Sequence, residues 1–291
     1  MDPHRLTGEI AIVTGSDSGI GQTTALAFAS EGADVTVTYL HDKAGAERTK
    51  FEIEATGRRA YLAQLDVRDP GLVASFFAEV NRELGTPTIL VNNAGIDAAG
   101  QHVADMSLEH WDNIQRTNLY GPFYTCRQFI RGLHGTGKHG TLINITSVHQ
   151  EIPRAGAAGY DVSKGGLRNL TTTLALELAE KNINVNNIAP GMVLTPMNQP
   201  ALDDPAVLAQ PVQSIPMKRA AQPEEIAHVA VFLASAHARY IHGTTIFVDG
   251  GSPCFRARAL RTGVIPRPSV RRCEPAHSIH RPNRIGSTRR E

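Results

Sequence analysis

A chain of 291 residues with 29 Lys and Arg against 28 Asp and Glu is near neutral overall, and it is long enough to bury a sizeable core. The balance hides a regional split: residues 252–291 hold ten Arg, no Lys and two acids, and the body before them is mildly acidic. Three Cys, at 126, 254 and 273, form no C-x-x-C pair and no His/Cys cluster at metal-ligand spacing, which argues against structural zinc and a disulfide framework.

In chain order, short apolar runs alternate with helical-period segments from residue 8 to 251. The runs at 9–15, 33–39, 60–67, 88–95, 140–147, 183–190 and 244–251 predict seven strands. Helices are expected near 20–31, 43–56, 70–84, 107–131, 157–181 and 223–235, with Ser107 as an N-cap and Pro223 followed by Glu224 and Glu225 opening the last. This alternation predicts an α/β fold: one doubly wound domain, residues 1–251, with a seven-stranded parallel sheet covered by helices on both faces. Its ligand crevice is expected at the carboxyl ends of the strands. The uncharged run 183–202 holds five Asn or Gln and three Pro, so no membrane span is expected there. No apolar leader core precedes Ile10, and the expected setting is the cytoplasm.

The first strand runs into "TGSDSGIG" (14–21). Gly15, Gly19 and Gly21 allow a tight turn, a backbone approach to phosphate and close helix–strand packing. Between the first strand and the first helix of a βαβ unit, that triplet predicts a dinucleotide site. The second strand ends Tyr39-Leu40-His41-Asp42-Lys43, with no acid at position 39 to take the ribose hydroxyls and no Arg at position 40. His41 and Lys43 could attract an extra phosphate, which leans toward NADP with NAD also open.

Tyr160 precedes Lys164 by four residues, so on a helix both lie on one face about 5–6 Å apart. For Tyr160 to exchange a proton near neutrality its pKa must fall by about 3 units, roughly 4 kcal/mol. A full charge about 6 Å away supplies roughly 3 kcal/mol at an effective dielectric of 20. Lys164 alone therefore falls short, and a positively charged nicotinamide or a donor to the phenolate is needed. Ser147, thirteen residues earlier at the end of the fifth predicted strand, could hold a substrate oxygen against Tyr160.

"TGSDSGIG", "NNAG" (92–95), Asn118 in "TNLYGP", Ser147, the Tyr160–Lys164 pair and "APG" (189–191) occur in the order seen in the short-chain dehydrogenase/reductase family, which the chain resembles from about residue 6 to 251. The resemblance implies a Rossmann-type fold and an NAD(P)-dependent oxidoreductase that moves a hydride between a nicotinamide and a secondary alcohol or carbonyl. It implies Tyr160 as acid/base, Lys164 as its partner and ribose ligand, Ser147 as the orienting hydroxyl and Asn118 as holder of a relay water. Gly15, Gly19 and Ile20 would line the pyrophosphate, Asp66 and Val67 the adenine, Asn93 and Gly95 the adenosine side, and Pro190, Gly191 and Thr195 the nicotinamide. Homo-oligomers, dimers or tetramers, are expected by the same resemblance.

"SVHQEIP" (147–153) and "SIPMKRA" (214–220) resemble the corresponding stretches of bacterial glucose 1-dehydrogenases, which points to a sugar such as glucose with Asp97 and His149 near its hydroxyls. A 3-oxoacyl thioester reductase, acting on an acyl carrier protein substrate, uses the same four residues and is the alternative. Residues 192–220 lack clear periodicity and are expected to form a substrate lid. The tail 252–291, with five Pro and ten Arg, is expected to be disordered and is what an out-of-frame continuation would encode. Its charge leaves open a nucleotide-sensing or nucleic-acid-binding protein as a reading of another class, although no nucleic-acid partner is expected.

Overall fold

The computed structural model describes residues 4–97 and 100–252; the expectations for the tail beyond Ser252 lie outside the described residues. In chain order the elements are β1 (Ile10–Val13), α1 (Gly19–Ser30), β2 (Asp34–Tyr39), α2 (Lys43–Ala55), β3 (Ala60–Gln64), α3 (Pro70–Glu83), β4 (Ile89–Asn92), α4 (Leu108–Gln115), α5 (Gly121–Leu133), β5 (Gly140–Ile145), α6 (Ala158–Leu178), β6 (Ile183–Pro190), α7 (Gln199–Asp203), α8 (Pro205–Ser214), α9 (Pro223–Ala234) and β7 (Thr245–Val248). The seven strands form one sheet in the order β3-β2-β1-β4-β5-β6-β7, and every pairing is parallel. Order reverses between β1 and β4, so the loops after these two strands diverge and open a crevice at their carboxyl ends.

A parallel sheet covered on both faces buries side chains in both directions, so its strands read as continuous apolar runs. The β1 sequence IAIV shows this directly. Ala11 and Val13 face one core, with Phe28 of α1, Ile53 of α2 and Val231 of α9. Ile12 faces the other, with Phe76 of α3, Phe129 of α5 and Leu174 of α6.

Helix ends follow local chemistry. The Ser107 hydroxyl accepts from the His110 N–H (3.1 Å). Asp69 caps α3 through the N–H groups of Gly71 (2.7 Å) and Leu72 (3.0 Å). At α9 the Gln222 N–H donates to Glu225 (2.9 Å), half of a capping box. The single helix expected over 107–131 is instead α4 and α5 joined by a π-helical turn, Arg116–Tyr120. An extra residue is accommodated there, and Gly121 beneath it has no room for a side chain, since a Cβ would come within 2.9 Å of Val67 Cβ.

The segment expected to be an irregular lid carries α7 and α8 after a 3₁₀ turn at Pro196–Asn198. Its two ends are tied together by an isolated parallel bridge between Val193 and Ala221. The Ala221 N–H donates to Met192 O (2.9 Å), and the Leu194 N–H donates to Ala221 O (3.0 Å).

Near the carboxyl ends of the central strands a buried polar chain crosses the sheet. Asn92, Asn144, Asn187 and Thr245 stand opposite one another on β4, β5, β6 and β7. Thr125 of α5 donates to Asn92 Oδ1 (2.6 Å), Asn92 Nδ2 to Asn144 Oδ1 (2.8 Å), and Asn144 Nδ2 to the Thr171 hydroxyl of α6 (2.7 Å). Thr171 donates in turn to Asn187 Oδ1 (2.5 Å), and Asn187 Nδ2 to Thr245 Oγ1 (3.1 Å).

Replacing Asn144, which is fully buried, with Leu leaves Asn92 and Thr171 each short of a partner. The expected loss is about 2–5 kcal/mol of unfolding free energy in urea denaturation, each orphaned group costing about 1–3.

Candidate active site

Two adjoining cavities occupy the crevice. The first, about 500 Å³, is lined by Gly15, Gly19, Ile20, Asp66, Val67, Asn93, Gly95 and Thr195 among others. The second, about 570 Å³, is lined by Ser147, His149, Tyr160, Lys164, Pro190 and Gly191, with Asp97, Arg154 and, from the lid, Met192, Met197, Pro211 and Ile215. Ile20, Asn93, Gly95 and Thr195 line both. The crevice therefore runs continuously from the α1 end to Tyr160.

The first cavity fits a dinucleotide. Ser18 at the N-terminus of α1 makes no side-chain cap, and the first turn holds no acid, so the helix presents free N–H groups and a partial positive charge to an anion. Gly19 sits at φ +55° with a Cβ position 3.2 Å from Thr195 Cβ; any side chain would be strained and would fill the passage. At the junction of the cavities a Cβ on Gly95 would stand 3.2 Å from Asn118 Oδ1 and 3.6 Å from Lys164 Nζ. Gly21 lines neither cavity and packs against the Gly15 carbonyl and Asn93. Asn93 braces the loop by donating to Thr14 O (2.9 Å) and Gly15 O (2.8 Å).

The Asp66 carboxylate is engaged: Arg68 grips both of its oxygens and also bonds Asn113 (2.7 Å). The Arg68 hydrogen bond, outweighing burial, holds Asp66 below the usual carboxylate range. Of the two cations read for an extra phosphate, His41 lines the cavity. Lys43 does not; it pairs with Glu47 (3.3 Å). Asp17 and Asp42, passed over in the sequence, line the same wall.

In the second cavity, α6 brings Tyr160 and Lys164 to one face as their spacing predicts. Lys164 Nζ donates to Ile145 O (2.9 Å) at the end of β5, two residues before Ser147, and stands 5.6 Å from the Tyr160 ring centroid. Burial pushes the Lys164 ammonium down to about 8, against a smaller upward pull from Asp97. Burial likewise pushes the Tyr160 phenol up; the neighbouring Ser147 hydroxyl and Arg154 pull it down, and Asp97 and Asp161 push it further up.

His149 Nδ1 lies 2.7 Å from Ile152 O. A carbonyl can only accept, so Nδ1 carries the proton, and Nε2 remains as an acceptor suited to a hydroxyl. Burial holds His149 below its usual pKa. Asp97 is not free: Arg154 Nη2 donates to it (3.1 Å). Arg154 also lies over the Tyr160 ring, 5.4 Å from guanidinium carbon to centroid. No motif signals Arg154, because the loop between β5 and α6 has no period to read.

Asn118 lines neither cavity. It sits fully buried in the π-helical turn, accepting from Ile96 N–H (2.9 Å) and donating to Ile96 O (2.9 Å) and Ser163 (3.2 Å). Its side chain clamps the segment that carries Gly95 between the cavities.

A family model described as "Enoyl-(Acyl carrier protein) reductase" matches residues 15–252. The chain is 41% identical over 246 residues to 3beta-hydroxysteroid dehydrogenase 1 of Eggerthella lenta, covering 84% of this chain and 94% of that protein. It is 38% identical to Glucose 1-dehydrogenase 2 of Bacillus subtilis, with 84% and 95% covered. Among solved structures, a gluconate 5-dehydrogenase from Burkholderia cenocepacia in complex with NADP and tartrate superposes with a TM-score of 0.80 at 34% identity, over 86% of this chain and 97% of that one.

Burying Lys164 as a cation has a measurable signature. Its folded pKa of about 8 lies below the ordinary 10.5, so the unfolded chain binds the extra proton between these values and stability rises with pH across that window. Lys164→Met is therefore expected to stabilise the cofactor-free protein by about 1–2 kcal/mol at pH 7 in urea denaturation, net of the lost hydrogen bond to Ile145, with the gain vanishing toward pH 10.5. A variant no more stable than its parent at pH 7 would contradict a costly buried charge.

Proposed function

The chain belongs to the short-chain dehydrogenase/reductase family and is an NAD(P)-dependent oxidoreductase of alcohols and carbonyls, and from this premise we propose that it oxidises a secondary alcohol of a sugar, glucose being the first to test, with Tyr160 as the acid/base. The observation that carries this reading is the meeting of Ser147, Tyr160 and Lys164 in one cavity that continues into the dinucleotide cleft. When bound, the nicotinamide supplies the hydride acceptor or donor.

The residues do the rest. The Ser147 hydroxyl holds the substrate oxygen beside Tyr160; on oxidation the Tyr160 phenolate takes the hydroxyl proton, and on reduction the phenol returns it. Lys164, fixed on Ile145 O, keeps a positive charge on the same side and would bond the nicotinamide ribose. Asn118 positions the relay water by way of the peptide groups that its amide clamps. Gly15, Gly19, Ile20, Asn93 and Thr195 would hold the pyrophosphate and adenosine portions, with Asp66 and Val67 at the adenine and Pro190 and Gly191 at the nicotinamide. His41 favours NADP, while Asp17 and Asp42 on the same wall oppose an extra phosphate, so both cofactors are tested.

A sugar suits the pocket because its polar groups, His149 Nε2 as an acceptor and the Asp97–Arg154 pair, match several hydroxyls. The name of the Bacillus relative agrees. The alternative, a 3-oxoacyl thioester, draws on the description of the matching family model, and it asks for a long apolar channel and a basic docking face. The reading includes self-association in the cytoplasm: Tyr120 and Phe123 near the start of α5, and Val162 and Leu176 of α6, are exposed.

Tyr160→Phe is expected to abolish turnover while cofactor affinity, measured by fluorescence titration, stays within a few-fold; retained turnover would remove Tyr160 as the acid/base. Steady-state assays at millimolar glucose against an acetoacetyl thioester, each with NAD and NADP, separate the two substrates. Absence of glucose oxidation would sink the first.

A further inference from the structure

Two cations flank the Tyr160 ring at nearly equal distance, Lys164 Nζ at 5.6 Å and the Arg154 guanidinium at 5.4 Å. They differ in kind. Lys164 is buried, and burial pushes its ammonium down to about 8, so its charge falls away as pH rises through that value. A guanidinium stays protonated throughout.

Arg154 is also held in place from two sides. Its backbone N–H donates to Asp161 Oδ2 of α6 (2.7 Å), which pins the loop, and its Nη2 donates to Asp97 (3.1 Å) after β4, which aims the head group. Its Nε is buried with no partner among the described residues, so the ring face and Asp97 alone fix the guanidinium. The charged and titratable groups facing Tyr160 are Lys164 and Asp161 from α6, Asp97 from the segment after β4, and His149 and Arg154 from the segment after β5. His149, edge-on at 6.2 Å, is held toward its neutral form.

We propose that Arg154 is a positioning residue of the proton-transfer step, a permanent positive charge held against the Tyr160 ring whose strength is set by its pairing with Asp97. The proposal rests on the reading of Tyr160 as the acid/base. It bears on a shortfall in the electrostatics: one cation at about 6 Å supplies roughly two of the three pH units that the phenol must move. Arg154 pulls the phenol in the same direction, and the Asp97 carboxylate, whose upward push is the larger of the two, sets how much of that pull is felt. The arrangement also makes an unusual prediction of sign. Removing the cation and removing its counter-ion must act in opposite directions on the same phenol, an outcome that loss of a structural clamp cannot produce.

The test is an ultraviolet titration of phenolate absorbance in the full chain saturated with NADP, using Tyr160→Phe as the blank for the other tyrosines. Arg154→Gln is expected to raise the Tyr160 midpoint by roughly one pH unit, Arg154→Lys to restore most of it, and Asp97→Asn to lower it. An unmoved midpoint in Arg154→Gln, or a shift of the same sign in Arg154→Gln and Asp97→Asn, overturns the proposal. If Arg154→Gln fails to fold, Arg154→Lys and Asp97→Asn still decide: a lowered midpoint in Asp97→Asn supports the pairing, and an unchanged or raised one overturns it. Retained turnover in Tyr160→Phe would instead defeat the underlying reading, so the two failures are separable.

Discussion

The amide ladder through Asn92, Asn144 and Asn187 holds the carboxyl ends of β4, β5 and β6 in one register, and these strands deliver Gly95, Ser147 and Gly191 to the crevice. Apolar contacts above and below the sheet do not specify such a register tightly, because one branched side chain packs much like another. Buried amides do specify it: each has few donors and acceptors, and a slip strands them without water. Thr125 and Thr171 extend the same constraint into α5 and α6. The helix that carries Tyr160 and Lys164 is thereby located against the strand that leads to Ser147 by hydrogen bonds as well as by packing.

Chemistry at the crevice is built on that rigidity. Burial raises the free energy of both ionised partners, the Lys164 ammonium and the Tyr160 phenolate. In a loosely held pocket the Lys164 ammonium would turn toward solvent rather than stay buried beside Tyr160. Lys164 is held by a single carbonyl, Ile145 O, which belongs to the strand that the ladder fixes.

Much of this was legible in the residues. Seven strand runs appeared within a few residues of their observed bounds because a doubly covered parallel sheet writes its burial as uninterrupted apolar stretches. Ser107 and Pro223 marked their helix starts through capping chemistry that is local in sequence. Tyr160 and Lys164 were visible because helical spacing converts four residues into one face. The π-helical turn at 116–120 was not, since it depends on Gly121 meeting Val67 across the fold. The helices of the lid were obscured by prolines that here sit at or near helix starts, at Pro196 and Pro205. Arg154 and Arg68 escaped for another reason: neither the Arg154–Asp97 pair, which bridges separate loops, nor the Arg68–Asp66 pair, two residues apart in one loop, leaves a periodic trace, and both carboxylates are read from the sequence as free for ligands.

The bridge between Val193 and Ala221 makes the intervening stretch a closed loop whose ends leave and rejoin the body at one point. The base of this loop is held further by the Met217 N–H, which donates to Gly250 O (3.2 Å) after β7, and by Arg219, which pairs with Glu225 of α9. Pro211, Ser214 and Ile215 of its outer part line the second cavity, whereas Thr195 and Pro196 at its base line the dinucleotide cleft, so changes in the outer part reshape the wall of the second cavity and leave the cleft as it is. The outer part of such a loop is a replaceable cassette on a fixed base.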